Sequence, residues 1–324
     1  MNADLQDLVD AERDLVSRRI FIEPEIYEQE LQRVFARCWL YLCHDSQIPL
    51  PGDFFTTYMG EDPVLVVRDS NGQVNAFLNV CRHRGNRLCR ADSGNAASFS
   101  CAYHGWTYRN DGQLTGVPYL KEAYHNALDR QRWGLQSVAQ LDQYKGLWFA
   151  TFDPEAPPLR DYLGEMCWYL DNFVDRREGG VEIVATHKWV MPCNWKFPAE
   201  NFGGDAYHVS WSHRSAMTTG FSVGSTASPK SGNRMVSPGN GHGLICIGPD
   251  SFGDAPLPEI EAYERDIRPE VRRRLGPRAA LVNPIVGTVF PNFSVLRGTS
   301  RTFRVWHPRG PGKTEVWSWV FVLS

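Results

Sequence analysis

Long apolar runs are missing from this sequence, and none approaches the roughly 18 residues that a membrane-spanning helix needs. The N-terminus carries Asp4, Asp7, Asp10, Glu12 and Asp14 with no apolar stretch between them, which excludes a secretory signal. Neither sign of charge dominates. The 34 Lys and Arg stand against 37 Asp and Glu for a net charge of −3, so composition gives no pointer to nucleic acid or a membrane surface. There is no internal repeat and no dense cysteine framework. The eight cysteines, at 38, 43, 81, 89, 101, 167, 193 and 246, are scattered through 324 residues. Reduced thiols in a cytoplasmic protein are the expectation. What is present, 42% hydrophobic and 22% charged residues, is the composition of a globular chain. The length suggests about two domains of roughly 150 residues.

Ile26, Leu31, Val34 and Phe35 fall near one stripe of a helix predicted over 25–37. A β-rich stretch follows. Val64–Val67 and Val74–Val80 flank Asp69-Ser70-Asn71-Gly72, a hairpin signal, and a second hairpin is expected at Asn110-Asp111-Gly112. Leu147–Phe152 reads as a closing strand, and the Pro-rich 153–158 segment as a boundary. Beyond it, 161–173 and 258–275 read as helices, 181–191 as extended, and 292–307 and 313–323 as β-rich runs that suggest a sheet. Residues 219–256, rich in Gly, Ser and Pro, are expected to form a long loop over a site. The chain stops within or just after an apolar strand, which reads as truncation.

Two of the cysteines have histidines at ligand spacing. Cys81-Arg82-His83 and Cys101-Ala102-Tyr103-His104, seventeen residues apart, each place one thiolate and one imidazole at the end of a predicted hairpin. Two Cys and two His suit either tetrahedral zinc or a Rieske [2Fe–2S] centre, in which two His replace two Cys on one iron. Zinc modules usually pair Cys with Cys and His with His. Mixed pairs let each loop give one ligand to each iron, which favours the cluster.

A second group lies in the 194–213 segment. In a helix, Asn201, Asp205 and His208 share one stripe, whereas His213 would be turned well away from it. For both imidazoles to meet one metal, the helix must break or bulge between them. Taken alone, either histidine is as readily a satisfied core residue. The string Asn194-Trp195-Lys196 to His213, with Cys-Arg-His-Arg-Gly at 81–85 and Cys-Ala-Tyr-His-Gly-Trp at 101–106, resembles the Rieske non-haem iron aromatic-ring-hydroxylating dioxygenases. The likeness is to their large (α) subunit, especially the naphthalene and polycyclic-aromatic branch, and it extends to Glu315–Trp319.

That resemblance implies an α+β fold: a β-rich Rieske domain (38–157) and a catalytic domain (158–324) with an antiparallel sheet flanked by helices. The N-terminal segment (1–37) would pack with the catalytic domain. It implies a [2Fe–2S] cluster on Cys81, His83, Cys101 and His104, and a mononuclear Fe(II) on His208 and His213. The third iron ligand of the family, an Asp further along, has no counterpart by motif in 314–324. Asp205 would bond His208 and, in a neighbouring subunit, the cluster ligand His104. Asn201 would face the iron at longer range, and Phe202, Val209 and Phe293 are expected in the pocket wall. High-potential Rieske proteins carry extra Cys and Ser residues where Asn86, Tyr103 and Trp106 stand here. With fewer donors to the sulfurs, a potential low in the Rieske range is expected. The Arg82, Arg84, Arg87 and Arg90 rim would dock an acidic ferredoxin. Implied partners are that ferredoxin, an NAD(P)H reductase, a small β subunit and two further α subunits in a trimer. The implied reaction adds both atoms of O2 to an arene, giving a cis-dihydrodiol. A Rieske monooxygenase or demethylase, and an electron carrier without a working mononuclear iron, are the alternatives.

Overall fold

A computed structural model describes residues 5–219, 234–248, 258–298 and 300–324. The chain divides into two compact units, Phe35–Ala156 and a second that joins the residues up to Val34 to Pro157–Ser324. Among the described residues no helix is long and apolar enough to cross a membrane.

The smaller unit is built from short antiparallel strands. Asp53–Met59, Asp62–Arg68 and Val74–Leu78 form a meander, with Ser93–Asn95 added beside the first. A three-stranded sheet of Ser98–Ser100, Thr107–Arg109 and Leu114–Gly116 turns through Asn110-Asp111-Gly112, as the Asp-Gly signal predicts. A third sheet brings Leu147–Thr151 between Gln140–Tyr144 and Leu40–His44. Apolar side chains from the first two sheets, including Phe54, Leu65, Phe77, Phe99 and Leu114, enclose one core, and Cys81 and Cys101 are part of it.

The larger unit centres on a seven-stranded antiparallel sheet. Its strand order is Val181–Met191, Thr314–Leu323, Arg301–Pro308, Phe293–Arg297, Asn283–Val289, His242–Ile247 and Arg234–Gly239. The last two strands correct the expectation of one long loop over 219–256. Pro238-Gly239-Asn240-Gly241 is the turn of a hairpin, and the run Leu244-Ile245-Cys246-Ile247 is wholly buried. The remaining parts of that stretch, 220–233 and 249–256, lie outside the described residues. The expected helix over 161–173 is two, Leu159–Leu163 and Met166–Val174, parted at Gly164, whose φ of +50° suits glycine. The N-terminal helix runs as α over Pro24–Glu30 and widens to a π turn over Leu31–Phe35. Its Glu30 meets the start of the Lys196–Gly204 helix, accepting from Lys196 Nζ at 2.5 Å and Trp195 Nε1 at 2.9 Å.

The Lys196–Gly204 helix lies directly on the sheet. A Cβ at Gly243 would fall 2.1 Å from the Gly203 carbonyl oxygen, so only glycine in that strand lets the helix backbone come so near. A buried hydrogen-bond chain fixes the helix lengthwise. Trp306 Nε1 donates to Ser294 Oγ (2.7 Å), the Ser294 and Thr288 hydroxyls are 2.8 Å apart, and Thr288 Oγ1 donates to the Ala199 carbonyl (2.8 Å). Removing the middle member strands a buried indole N–H and leaves Thr288 short of its donor. Ser294→Ala should therefore destabilise this unit by about 1–3 kcal/mol, read as a lower denaturant midpoint with an unchanged slope.

Candidate metal centres

The two Cys/His loops are built alike. Each Cys amide donates to the carbonyl five residues on (Cys81 to Asn86, Cys101 to Trp106, both 2.8 Å), and each Cys carbonyl accepts from a glycine four residues on (Gly85 and Gly105, both 2.9 Å). Both glycines hold positive φ, +74° and +71°, which closes the turn and folds the Cys and His of one loop toward the same side. Cys81 and Cys101 lie in one hydrophobic core, and the Cys81 thiol is among the groups that lower the Cys101 thiol. The rings of His83 and His104 are neighbours too, with centroids 4.7 Å apart. Sulfur thus gathers on the inner side, in the hydrophobic core, while His104 is exposed and His83 half-buried.

The surroundings favour the ligating form of His83 and of Cys101. Burial, then the nearby His104 and Arg84 charges, hold the His83 imidazole below its ordinary value and so neutral. Burial opposes ionisation of the Cys101 thiol, yet backbone donors at Tyr103 and His104 and the Asn86 amide outweigh it and bring the thiol below its ordinary value. Tyr108 Oη accepts from the Arg82 amide (3.1 Å), which turns its own proton toward Cys81 Sγ, 3.4 Å away. Asn86 Nδ2 lies 3.6 Å from Cys101 Sγ. Burial and the Cys81 sulfur both raise the Tyr108 phenol, so it stays protonated and donating. Tyr108 has no place in the three positions compared above, and spacing alone could not single it out from the other tyrosines.

At the second site the helix breaks, though earlier than expected. It ends at Gly204, Asp205 follows with φ −87° and ψ +77°, and a single turn over Val209–Ser212 separates His208 from His213. The break lies before His208 because two glycines and an Asp favour a terminus there. Asp205 holds His208 at three points. Its carbonyl accepts from His208 Nδ1 (2.6 Å), Oδ2 lies 3.1 Å from the same nitrogen, and Oδ1 accepts from the His208 amide (3.2 Å). With Nδ1 donating, His208 Nε2 carries the free lone pair, and it lies 3.2 Å from His213 Nε2. Two imidazoles bound at about 2.1 Å and roughly at right angles on one ion stand at such a separation. Burial, then His208, lowers His213 below its ordinary value and keeps it neutral. Asn201 Nδ2 is 3.2 Å from each His208 ring nitrogen. Among the described residues no third His, Cys, Asp or Glu converges on the pair.

A cleft of about 1560 Å3 adjoins this helix, lined by Asn201, Phe202, Asp205, Phe290 and Trp306 among others. Phe202 is in its wall, edge-on to Trp306 at 5.2 Å. Val209 is half-buried on the short turn between the histidines and is not among the lining residues. Phe293 is in the sheet core against Phe303, 5.8 Å away, and does not reach the cleft. The reason is alternation: Ser294 faces the Lys196–Gly204 helix through Thr288, so its neighbour faces the opposite side. In the arginine rim, Arg82, Arg84 and Arg90 are exposed, whereas Arg87 is drawn down onto Tyr58, donating to its hydroxyl at 2.7 Å.

Residues 38–143 match the Rieske [2Fe-2S] domain and residues 171–324 the catalytic domain of ring-hydroxylating alpha subunits. The chain is 44% identical to the biphenyl 2,3-dioxygenase alpha subunit of Rhodococcus jostii (strain RHA1), over 99% of this chain and 72% of the relative. The chain belongs to this family. It is 42% identical to the benzene 1,2-dioxygenase alpha subunit of Pseudomonas putida, over 99% of this chain and 73% of that one. A naphthalene 1,2-dioxygenase variant bound to phenanthrene superposes with a TM-score of 0.90 at 39% identity, covering 100% of this chain and 75% of that one. This ring-hydroxylating dioxygenase alpha subunit is therefore an oxidoreductase with a Rieske cluster and a mononuclear iron.

Both groups fit the residues present. His83 Nδ1 is buried with no hydrogen-bond partner among the described residues, the position a metal would take. Separate sulfur and nitrogen pairs suit a two-iron cluster with one iron for each. At the second site the two Nε2 atoms face one another, with the Asn201 amide 3.2 Å from that of His208. With a cluster held on Cys81, the Tyr108 hydrogen bond would stabilise its more negative, reduced form. Tyr108→Phe should therefore lower the midpoint potential by roughly 40 mV, the one-electron equivalent of about 1 kcal/mol, as measured by redox titration of the visible spectrum.

Proposed function

We propose that this dioxygenase subunit adds both atoms of O2 to one edge of a small apolar arene, of the benzene, biphenyl or naphthalene type named for its relatives, giving a cis-dihydrodiol. The observation that carries the reading is the meeting of His208 and His213 at Nε2, 3.2 Å apart, beside a mainly apolar cleft. Those two imidazoles supply two ligands of a two-histidine, one-carboxylate iron site, which leaves positions open for O2. The iron, when bound, supplies oxygen activation. The protein's part is positional. Asp205 fixes the His208 tautomer, so that Nε2 is always the ligating atom. Phe202 and Trp306 give the cleft an apolar wall that excludes water.

Cys81, His83, Cys101 and His104 hold the cluster in this reading, with the imidazole side toward solvent as the electron port. Electrons come from NAD(P)H through a reductase and a ferredoxin, which docks at the exposed Arg82, Arg84 and Arg90. Asp205 is inferred to link its own His208 to His104 of a neighbouring alpha subunit, in a trimer with small beta subunits in the cytoplasm. Asn201 flanks the iron at longer range.

Turnover under 18O2 by the reconstituted multicomponent enzyme tests the reaction. A dihydrodiol carrying two labelled oxygens is expected, with three irons per alpha chain. A phenol or dealkylated product with one label would make the enzyme a monooxygenase, and two irons per chain with no product would make it a carrier. Asp205→Ala should leave the cluster spectrum intact and lower turnover by about 10–100-fold or more. Wild-type electron transfer from cluster to iron in that variant would remove Asp205 from the route.

A further inference from the structure

Away from both metal centres, the larger unit gathers three guanidinium groups around one carboxylate among the described residues. Glu264, in the Pro258–Leu275 helix, is contacted by three arginines from other elements. Arg176 bonds its Oε2, Arg297 lies 3.4 Å from the same oxygen, and Arg301 donates to Oε1 at 2.9 Å. The Arg176, Arg297 and Glu264 side chains are only 7%, 8% and 9% exposed. A cavity of about 30 Å3 adjoins them, lined by Asn172, Arg176, Arg268, Arg272, Asn283 and Arg297 together with Glu264 and apolar residues. Three arginines therefore converge on one carboxylate, with Arg268 and the exposed Arg272 also on the cavity wall. Of the acidic groups nearby, Asp175 is bonded by Arg274 and Glu270 is paired with Arg177.

Two donors are left over. Nε of Arg176 and Nε of Arg297 are buried with no hydrogen-bond partner among the described residues. Arg297 does place its Nη2 on the Pro284 carbonyl (2.9 Å) and on the Asn283 side chain, so the shortage is in acceptors and counter-charge, not in order. Burial, then repulsion from Arg297, lowers the Arg176 guanidinium from its ordinary value, against the pull of Glu264. A buried, unpaired charge costs several kcal/mol, and water supplies acceptor atoms but no charge.

We propose that this cavity binds a small inorganic anion of chloride size, held between Arg176 and Arg297. The volume suits it, since about 10–15 Å3 accommodates one water-sized occupant, and the Asn172 and Asn283 amides add neutral polar groups to the wall. The anion ties the Pro258–Leu275 helix to the Phe293–Arg297 strand and to Arg176, just beyond the Met166–Val174 helix. It acts on stability, not on turnover.

The test is calorimetric unfolding of the holoprotein at constant ionic strength, with chloride replaced stepwise by gluconate, and diffraction from crystals grown in bromide. Chloride should raise Tm saturably, by about 3 °C or more when well above its dissociation constant. An anomalous bromide peak should lie within hydrogen-bonding distance of Arg176 and Arg297. Arg297→Leu should abolish the chloride response. Should that variant not fold, Arg272→Gln, at an exposed position on the cavity wall, should raise the half-saturating chloride concentration several-fold. Equal Tm in chloride and gluconate, a response unchanged in both variants, or a cavity filled by water or by a protein carboxylate in the bromide crystals would each overturn the proposal.

Discussion

Two imidazoles five residues apart can meet at one point only if the helix that carries them is broken, and the larger unit is organised around that break. Gly203 and Gly204 end the Lys196–Gly204 helix, Asp205 turns the chain, and His208 and His213 then flank one helical turn with their Nε2 atoms 3.2 Å apart. A broken helix end is mobile unless it is fixed from below. Here the sheet fixes it twice, by the backbone approach that Gly243 permits and by the Trp306–Ser294–Thr288 chain that ends on the Ala199 carbonyl. Asp205 then fixes the first ring. The precision of the histidine pair thus rests on buried polar contacts four to nine residues before it.

The smaller unit meets a different demand, to bury thiolates and yet let electrons through. Two loops of the same hydrogen-bond pattern set both cysteines in an apolar core and leave His104 at the surface. Buried thiolates need donors, and Tyr108 and Asn86 provide them, one on each sulfur. With a cluster on these cysteines, the contacts that make the thiolates tolerable inside the core would also stabilise its reduced form, which would tie redox tuning to burial.

Elsewhere the structure carries polar groups for stability alone. Glu30 neutralises Lys196 at the start of the site helix, where burial lowers the lysine from its ordinary value in spite of that partner. The Glu264 cluster, in contrast, has more cations than its carboxylate can satisfy.

Local chemistry was readable from the sequence because it is written in short spacings. The mixed Cys/His pairs, the Gly-marked hairpin turns and the strands at 181–191 and 313–323 depend on residues within a turn or two of each other, and the hairpins and strands stand as expected. Period and composition also fixed the charged helix at 258–275. Where chemistry depended on distant partners, sequence reading fell short. The 234–247 hairpin was hidden in a Gly- and Pro-rich stretch because its burial comes from strands forty residues away. Phe293 looked like a pocket residue until the register put Ser294, and not its neighbour, under the helix. Tyr108, Gly243 and the arginines around Glu264 carry no pattern at all, since each acquires its role from what lies against it in three dimensions. The sequence by itself determined which atoms could hold metal. The tertiary structure decided which of them face one another, because packing and strand register, not spacing, set the distances between side chains far apart in the chain.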